Sequence, residues 1–163
     1  MLNEQQLIAK YGNPGDSSRL TSITLPYPMK LAWVPGQVVT KITCNKGIAQ
    51  PLLAVFNDLL AHYGLEKIQK LGIDLFGGCV NVRPKRGLES KYAATKDVKY
   101  LSRHAWGTAI DLDPARNALK TKAPIAQFSK PEYKAMNDIF YNHGFIGYGR
   151  ERDNDWMHYE INT

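Results

Sequence analysis

Apolar residues keep helical time most clearly in the stretch after Gly47. Ile48, Leu52, Val55, Phe56, Leu59, Leu60 and Tyr63 fall on one wide face, the signature of an amphipathic helix. Pro51 lies in the first turn, where its missing N–H does no harm, and Gly64 supplies the stop. A second helix is predicted from Ser129-Lys130-Pro131-Glu132, which has capping-box spacing, with Tyr133, Met136, Ile139 and Phe140 as its buried stripe and Gly144 as its end. A short third helix is predicted up to Tyr11, with Asn3 as cap, Gln6 reaching back and Gly12 as terminator. His62 and His143 fall in last turns, where imidazole interacts well with the helix dipole, and both read as structural.

Elsewhere the period is two or absent. Between Thr108 and Asp113, Ile110 and Leu112 point one way and Ala109, Asp111 and Asp113 the other; a strand with its apolar side in the core would present Asp111 to a cleft. Asp113-Pro114 ends it as a turn, with Asp113 as a turn-capping carboxylate. Ile73 to Val82 reads as a buried strand interrupted by Gly77-Gly78, and Trp156 to Ile161 as a short terminal strand. Residues 13–18 are a turn-rich linker. From Leu20 to Cys44, Pro26, Pro28 and Pro35 break up short β-type runs, which predicts irregular structure with one or two short strands. Residues 84–101 show no period and read as a long loop. These elements predict one α+β domain over residues 1–163: a small, mostly antiparallel sheet with helices packed behind it, the pattern saying least about residues 1–46.

Composition narrows the class. A chain of 163 residues with 44% hydrophobic and 22% charged positions suffices for one domain with a real core. No apolar run approaches the roughly eighteen residues of a membrane span. Met1-Leu2-Asn3-Glu4 carries an early acid and no basic cluster, and does not read as a secretory signal. Cys44 and Cys79 lie far apart and outside any Cys-x-x-Cys pattern, so they are expected as buried free thiols rather than a disulfide or a thiolate metal site. The net charge of +6 is concentrated between Arg83 and Arg103, where Arg83, Lys85, Arg86, Lys91, Lys96, Lys99 and Arg103 face only Glu89 and Asp97. Such a patch attracts nucleic acid, anionic membrane or an anionic cell-wall polymer, and charge alone does not choose.

The candidate chemistry is split between Ser102-Arg103-His104-Ala105-Trp106-Gly107-Thr108-Ala109-Ile110-Asp111 and Asp155-Trp156-Met157-His158. Catalytic zinc is usually held by three protein ligands with a fourth position open to water. His104, Asp111 and His158 are the candidate ligands, and Asp155 the candidate base. Gly107 permits the bent path that brings His104 and Asp111 to one ion. Asp155 and His158 would face opposite sides of a flat strand, so the chain must turn before Tyr159. Glu160 then shares a face with His158 and is placed to orient its imidazole. Arg83, at the end of the central strand, is the first candidate to stabilise an oxyanion, and Arg86 the second. Taken singly, His-x6-Asp and Asp-x-x-His have little specificity.

In combination, Ser102, His104, Gly107, Ala109 and Asp111 followed by Asp155-x-x-His158 closely resemble the zinc DD-peptidase group. That group comprises D-alanyl-D-alanine carboxypeptidases, dipeptidases of vancomycin resistance and L-alanyl-D-glutamate endopeptidases of phage endolysins. The resemblance implies a Hedgehog/DD-peptidase-like fold and one zinc ion on His104, Asp111 and His158, with Asp155 as base. It also implies Arg83 as the transition-state arginine and Ser102 as a residue shaping the substrate pocket. An aspartate base looks more like the endopeptidase branch, so hydrolysis of the L-alanyl-D-glutamate bond in peptidoglycan stem peptides is expected. The insert between Arg83 and Ser102 is longer than is common in the group. A D-alanyl-D-alanine carboxypeptidase or dipeptidase, and a non-catalytic wall-binding module with a vestigial metal site, are the alternatives. The absence of a signal and of a separate wall-binding module further suggests a phage or prophage endolysin. It would be made in the host cytoplasm, released through a holin and active in the periplasm or wall, as a monomer without nucleic-acid partners.

Overall fold

Residues that the prolines marked as irregular form the two longest strands. The computed structural model describes Met1–Thr163, and in it β1 (Leu20–Leu31) pairs antiparallel with β2 (Val38–Asn45). Ile23, Leu25, Tyr27 and Met29 alternate into the core, while Pro26 and Pro28 take the opposite face. The ladder jumps from Thr24↔Lys41 to Met29↔Val39, so neither proline is asked for the N–H it lacks. This corrects the expectation of irregular structure from Leu20 to Cys44.

The helices follow their patterns more closely. Helix α1 (Glu4–Tyr11) has the expected capping box: the Gln6 N–H donates to Asn3 Oδ1 and the Asn3 N–H to Gln6 Oε1, both at 2.9 Å. Such a cap is worth about 1 kcal/mol. Helix α2 (Ala49–Tyr63) buries Leu52, Val55, Phe56 and Leu59 and ends at Gly64; α3 (Leu65–Leu71) follows directly. The chain then enters β3 (Leu75–Gly78), α4 (Glu89–Thr95), β4 (Ala109–Leu112) and the short α5 (Pro114–Asn117). It continues through α6 (Lys134–Asn142), β5 (Phe145–Gly147), α7 (Tyr148–Arg152) and β6 (His158–Ile161).

Three expectations need correction. The capping box at Ser129–Glu132 does not form, because the Ser129 hydroxyl donates to the Ala126 carbonyl at 2.6 Å. A 3-10 turn, Pro131–Tyr133, precedes α6 instead. Asp113 makes no side-chain cap; it sits in left-handed backbone and holds Arg116 at 2.6 Å. Residues 84–101 are not a plain loop: they contain α4 and a 3-10 turn, and a Pro84–Leu101 bridge ties their ends together.

The strands assemble as one mixed sheet in the order β2-β1-β3-β4-β6-β5, antiparallel except between β1 and β3. The result is a single α+β domain. Its core lies between the sheet and α2 and α6: Ile110, Leu112, Tyr159 and Ile161 point into it, and the Tyr159 ring stacks on Phe140 with centroids 3.9 Å apart. Strand alternation therefore turns Asp111, His158 and Glu160 to the other face. Cys44 and Cys79 are free and buried. No helix is long and apolar enough to cross a membrane.

Candidate metal centre

Three local devices bring the polar groups together. Ser102 caps the 3-10 turn Arg103–Trp106, its hydroxyl accepting the His104 N–H at 3.3 Å. Gly107 closes that turn at φ 68°, where a side chain would meet the Asn45 backbone N at 3.0 Å. The chain then runs into β4, where Asp111 is the direct cross-strand partner of His158 in β6. The reversal required between Asp155 and His158 is present: Asp155 adopts φ 54°, and its carbonyl accepts the His158 N–H at 3.0 Å. Left-handed backbone at a non-glycine residue costs about 1–3 kcal/mol, a strain that clusters at functional sites. On the neighbouring strand, a Cβ at Gly77 would lie 3.0 Å from both the Cβ and the carbonyl oxygen of Asp111. The glycine thus permits the close approach of β3 behind the site.

His104, Asp111 and His158 are buried, and their candidate ligand atoms lie within 4.8 Å of one another. Asp111 Oδ1 is 3.2 Å from His104 Nε2 and 3.1 Å from His158 Nδ1. A tetrahedral zinc with ligands at about 2.0–2.1 Å has ligand–ligand edges near 3.3 Å, so these spacings fit. The hydrogen bonds fix which nitrogens face inward. His104 Nδ1 lies 2.9 Å from the Cys79 carbonyl; a carbonyl only accepts, so the proton is on Nδ1 and the lone pair on Nε2. That Nε2 is buried and has no hydrogen-bond partner. On His158, Nε2 donates to Glu160 Oε2 at 3.0 Å, leaving Nδ1 toward Asp111. An orphaned imidazole nitrogen beside a carboxylate and a second imidazole, each braced from behind, is a donor set suited to zinc.

Electrostatics agree with the geometry. Burial alone would raise the Asp111 pKa, but the flanking His104 and His158 hold it well below the usual carboxylate range. Glu160 is likewise opposed by burial and held low by His158, Tyr148 and Arg103. Asp155 behaves differently: burial, reinforced by Asp111, raises its pKa against the influence of His158, His104 and Arg86. Its Oδ1 is buried and unpartnered, so it is an acceptor held ready beside the cluster.

Asp111, Asp155 and His158 open onto a cavity of about 310 Å³, which Ser102, Arg83 and Arg86 also line. The structure thus gathers all the sequence-predicted site residues except His104 and Glu160 around the cavity, with those two directly behind its wall. Arg83 is not at the end of β3, which stops at Gly78. It lies five residues on, in a segment held against Ser102 by the Ser102 N–H donating to the Arg83 carbonyl at 3.0 Å, and its Nη1 donates to the Pro84 carbonyl at 3.2 Å. Arg86 is the arginine whose charge reaches Asp155.

Sequence reasoning missed three neighbours. The Tyr148 hydroxyl donates to Glu160 Oε2 at 2.8 Å, and its ring lies 4.4 Å from that of His158. Arg103 bonds Glu4 at 3.0 Å and stands 3.9 Å from Glu160. Arg152 lines the cavity from α7. Arg103 was inside the motif, but Tyr148 and Arg152 carry no local signal beyond their closeness to Asp155.

Residues 95–161 match the family model described as D-alanyl-D-alanine carboxypeptidase. The matched stretch contains His104, Asp111, Asp155, His158 and Glu160, and excludes Arg83 and Arg86. Comparison with curated proteins and with solved structures gave no match.

Proposed function

We propose that the chain, whose residues 95–161 match the D-alanyl-D-alanine carboxypeptidase family model, is a zinc-dependent peptidase of peptidoglycan peptides, and that it cleaves the L-alanyl-D-glutamate amide of the peptide stem. The observation that carries the proposal is the convergence of His104, Asp111 and His158 with an unpartnered Asp155 beside them on one cavity wall. The aspartate base supports the endopeptidase bond, by its likeness to that branch of the group.

His104, Asp111 and His158 would hold a zinc ion, which when bound would supply Lewis acidity toward a carbonyl and water. Asp155 takes the proton of the attacking water on Oδ1 as the new C–O bond forms, and returns it to the departing nitrogen as the C–N bond breaks. Arg86 or Arg83 donates to the oxyanion that develops on the carbonyl oxygen. Ser102 acts through His104, holding its turn in place. Glu160 holds His158 in the orientation that turns Nδ1 inward.

The description of the matching family favours a second reading, carboxypeptidase action on D-alanyl-D-alanine. Mass spectrometry of muropeptides digested by the zinc-loaded protein separates the two. New L-alanine C-termini with matching D-glutamyl N-termini are expected, whereas free D-alanine as the only product would overturn the endopeptidase assignment. Asp155→Asn is expected to lower turnover by about 10²–10⁴-fold; full activity in that variant would remove Asp155 from the mechanism. We also propose a lytic role of the phage endolysin type, with the protein reaching the wall through a holin. The cationic stretch from Arg83 to Arg103 suits an anionic wall.

A further inference from the structure

The chain has seven arginines, and their partners divide them sharply. Arg103, Arg116 and Arg150 each hold a carboxylate within 3.0 Å. Arg19, Arg83, Arg86 and Arg152 have none within ion-pair distance, and three of these four line the cavity beside Asp155. A guanidinium without an acid, facing a cleft, is a site for an anionic ligand. Arg83 and Arg86 come from the segment after β3 and are the two candidates for the reacting carbonyl in the mechanism above. Arg152 comes from α7 and has no part in that mechanism.

Arg152 is exposed, but its guanidinium is not without a contact. Its guanidinium carbon lies 4.1 Å from the centre of the Tyr148 ring. Tyr148 in turn is held by its hydrogen bond to Glu160 and packs against His158. Guanidinium, phenol and imidazole therefore form one continuous chain of contacts, the phenol tilted by 43° to the imidazole, that ends at a candidate ligand of the metal centre. Stacking engages the face of the guanidinium and leaves its N–H edges free, the edges that grip a carboxylate in two parallel bonds. The one side-chain acceptor they meet is Met1 Sδ, 3.2 Å from Nη2, and a thioether is a weak acceptor.

We propose that Arg152 is a specificity-determining residue that binds the free α-carboxylate of the substrate residue on the amine side of the scissile bond. The inference rests on the peptidase reading but not on the choice between its two bonds. In a stem peptide D-glutamate is linked onward through its side chain, which leaves its α-carboxylate free beside the departing nitrogen. A terminal D-alanine carries its carboxylate in the same position. Both substrates therefore offer an anion to a guanidinium that rests against Tyr148, itself packed against His158 of the metal centre.

The test uses the zinc-loaded protein and two synthetic peptides: L-alanyl-D-glutamate joined through its γ-carboxyl to L-lysine, and the same peptide with the α-carboxylate converted to a carboxamide. The wild type is expected to prefer the free carboxylate by about 10–100-fold in kcat/KM, the range of a charge-assisted paired hydrogen bond. In Arg152→Gln that ratio should collapse toward one, through a rise in KM for the carboxylate peptide rather than a fall in kcat. Arg152→Lys, which keeps the charge but loses the fork, should fall between them. Equal losses on both peptides in Arg152→Gln, or a wild type indifferent to amidation, would overturn the inference while leaving the peptidase assignment standing. If the wild type cleaves neither peptide, the endopeptidase bond fails. The same comparison on D-alanyl-D-alanine and its C-terminal amide then decides Arg152 by the same criterion, and absence of cleavage there too overturns both.

Discussion

Glu160 touches no substrate, yet the behaviour of His158 depends on it. Its Oε2 accepts from both His158 Nε2 and the Tyr148 hydroxyl, at 3.0 and 2.8 Å, while Arg103 stands by its other oxygen. A carboxylate behind an imidazole makes the far nitrogen a better ligand and sets its direction. Glu160→Gln keeps the shape and removes the charge, so zinc affinity should fall by about 10–100-fold, read by competition with a chromophoric chelator. Unchanged affinity would show that packing alone orients the ring. At this scale the sequence was most informative where residue identity carries chemistry: two histidines and two aspartates at fixed spacing are few enough to single out. It was mute on Arg152 and Tyr148, whose significance comes only from the contacts that tertiary packing builds.

Elements were legible in proportion to how locally they are determined. Helices α1 and α2 were readable because cap, stripe and stop lie in one run of sequence. The β1–β2 pair was not, because two prolines read as breakers until the ladder is seen to skip past them. Strand β6 was readable as a strand, and the need for a turn before it followed from geometry alone. What the sequence did not reveal is how that turn is anchored. A Cβ at Gly149 would stand only 2.1 Å from the Trp156 ring, so the glycine in α7 is the floor on which the indole rests. The indole also donates to Asp153 at 3.0 Å, which ties down both sides of Asp155. Gly149→Ala should destabilise the fold by about 1–3 kcal/mol through overpacking, measured by thermal or denaturant unfolding. Catalysis should suffer beyond the unfolded fraction, because displacement of Trp156 moves Asp155.

For the whole molecule, protons and metal compete for the same pocket. In the zinc-free chain burial would lower the His158 pKa, but hydrogen bonds to Asp111 and Glu160 outweigh it and raise it from the ordinary 6.5 to about 10. The ring is therefore protonated at neutral pH, and the sign follows. Stability from this interaction is fully present below pH 6.5 and is lost as pH rises toward about 10. Zinc must displace the proton on Nδ1 to bind, so binding at pH 7 should release a proton and weaken as pH falls, by up to about tenfold per unit. Calorimetric titration in buffers of different ionisation enthalpy counts that proton. Zinc at about a hundred times its dissociation constant should add roughly 2.7 kcal/mol of stability, and a chelator should abolish the gain.

The strand order β4-β6-β5 has a consequence for synthesis on the ribosome. Strand β6 emerges after both of its neighbours, so it is not added at an edge but fills the gap between two strands that precede it, and it delivers His158 as it does so. Until then β5 has no neighbour to join and His104 and Asp111 lack their third companion. The candidate metal centre is therefore completed in one step, when β6 inserts and His158 joins His104 and Asp111.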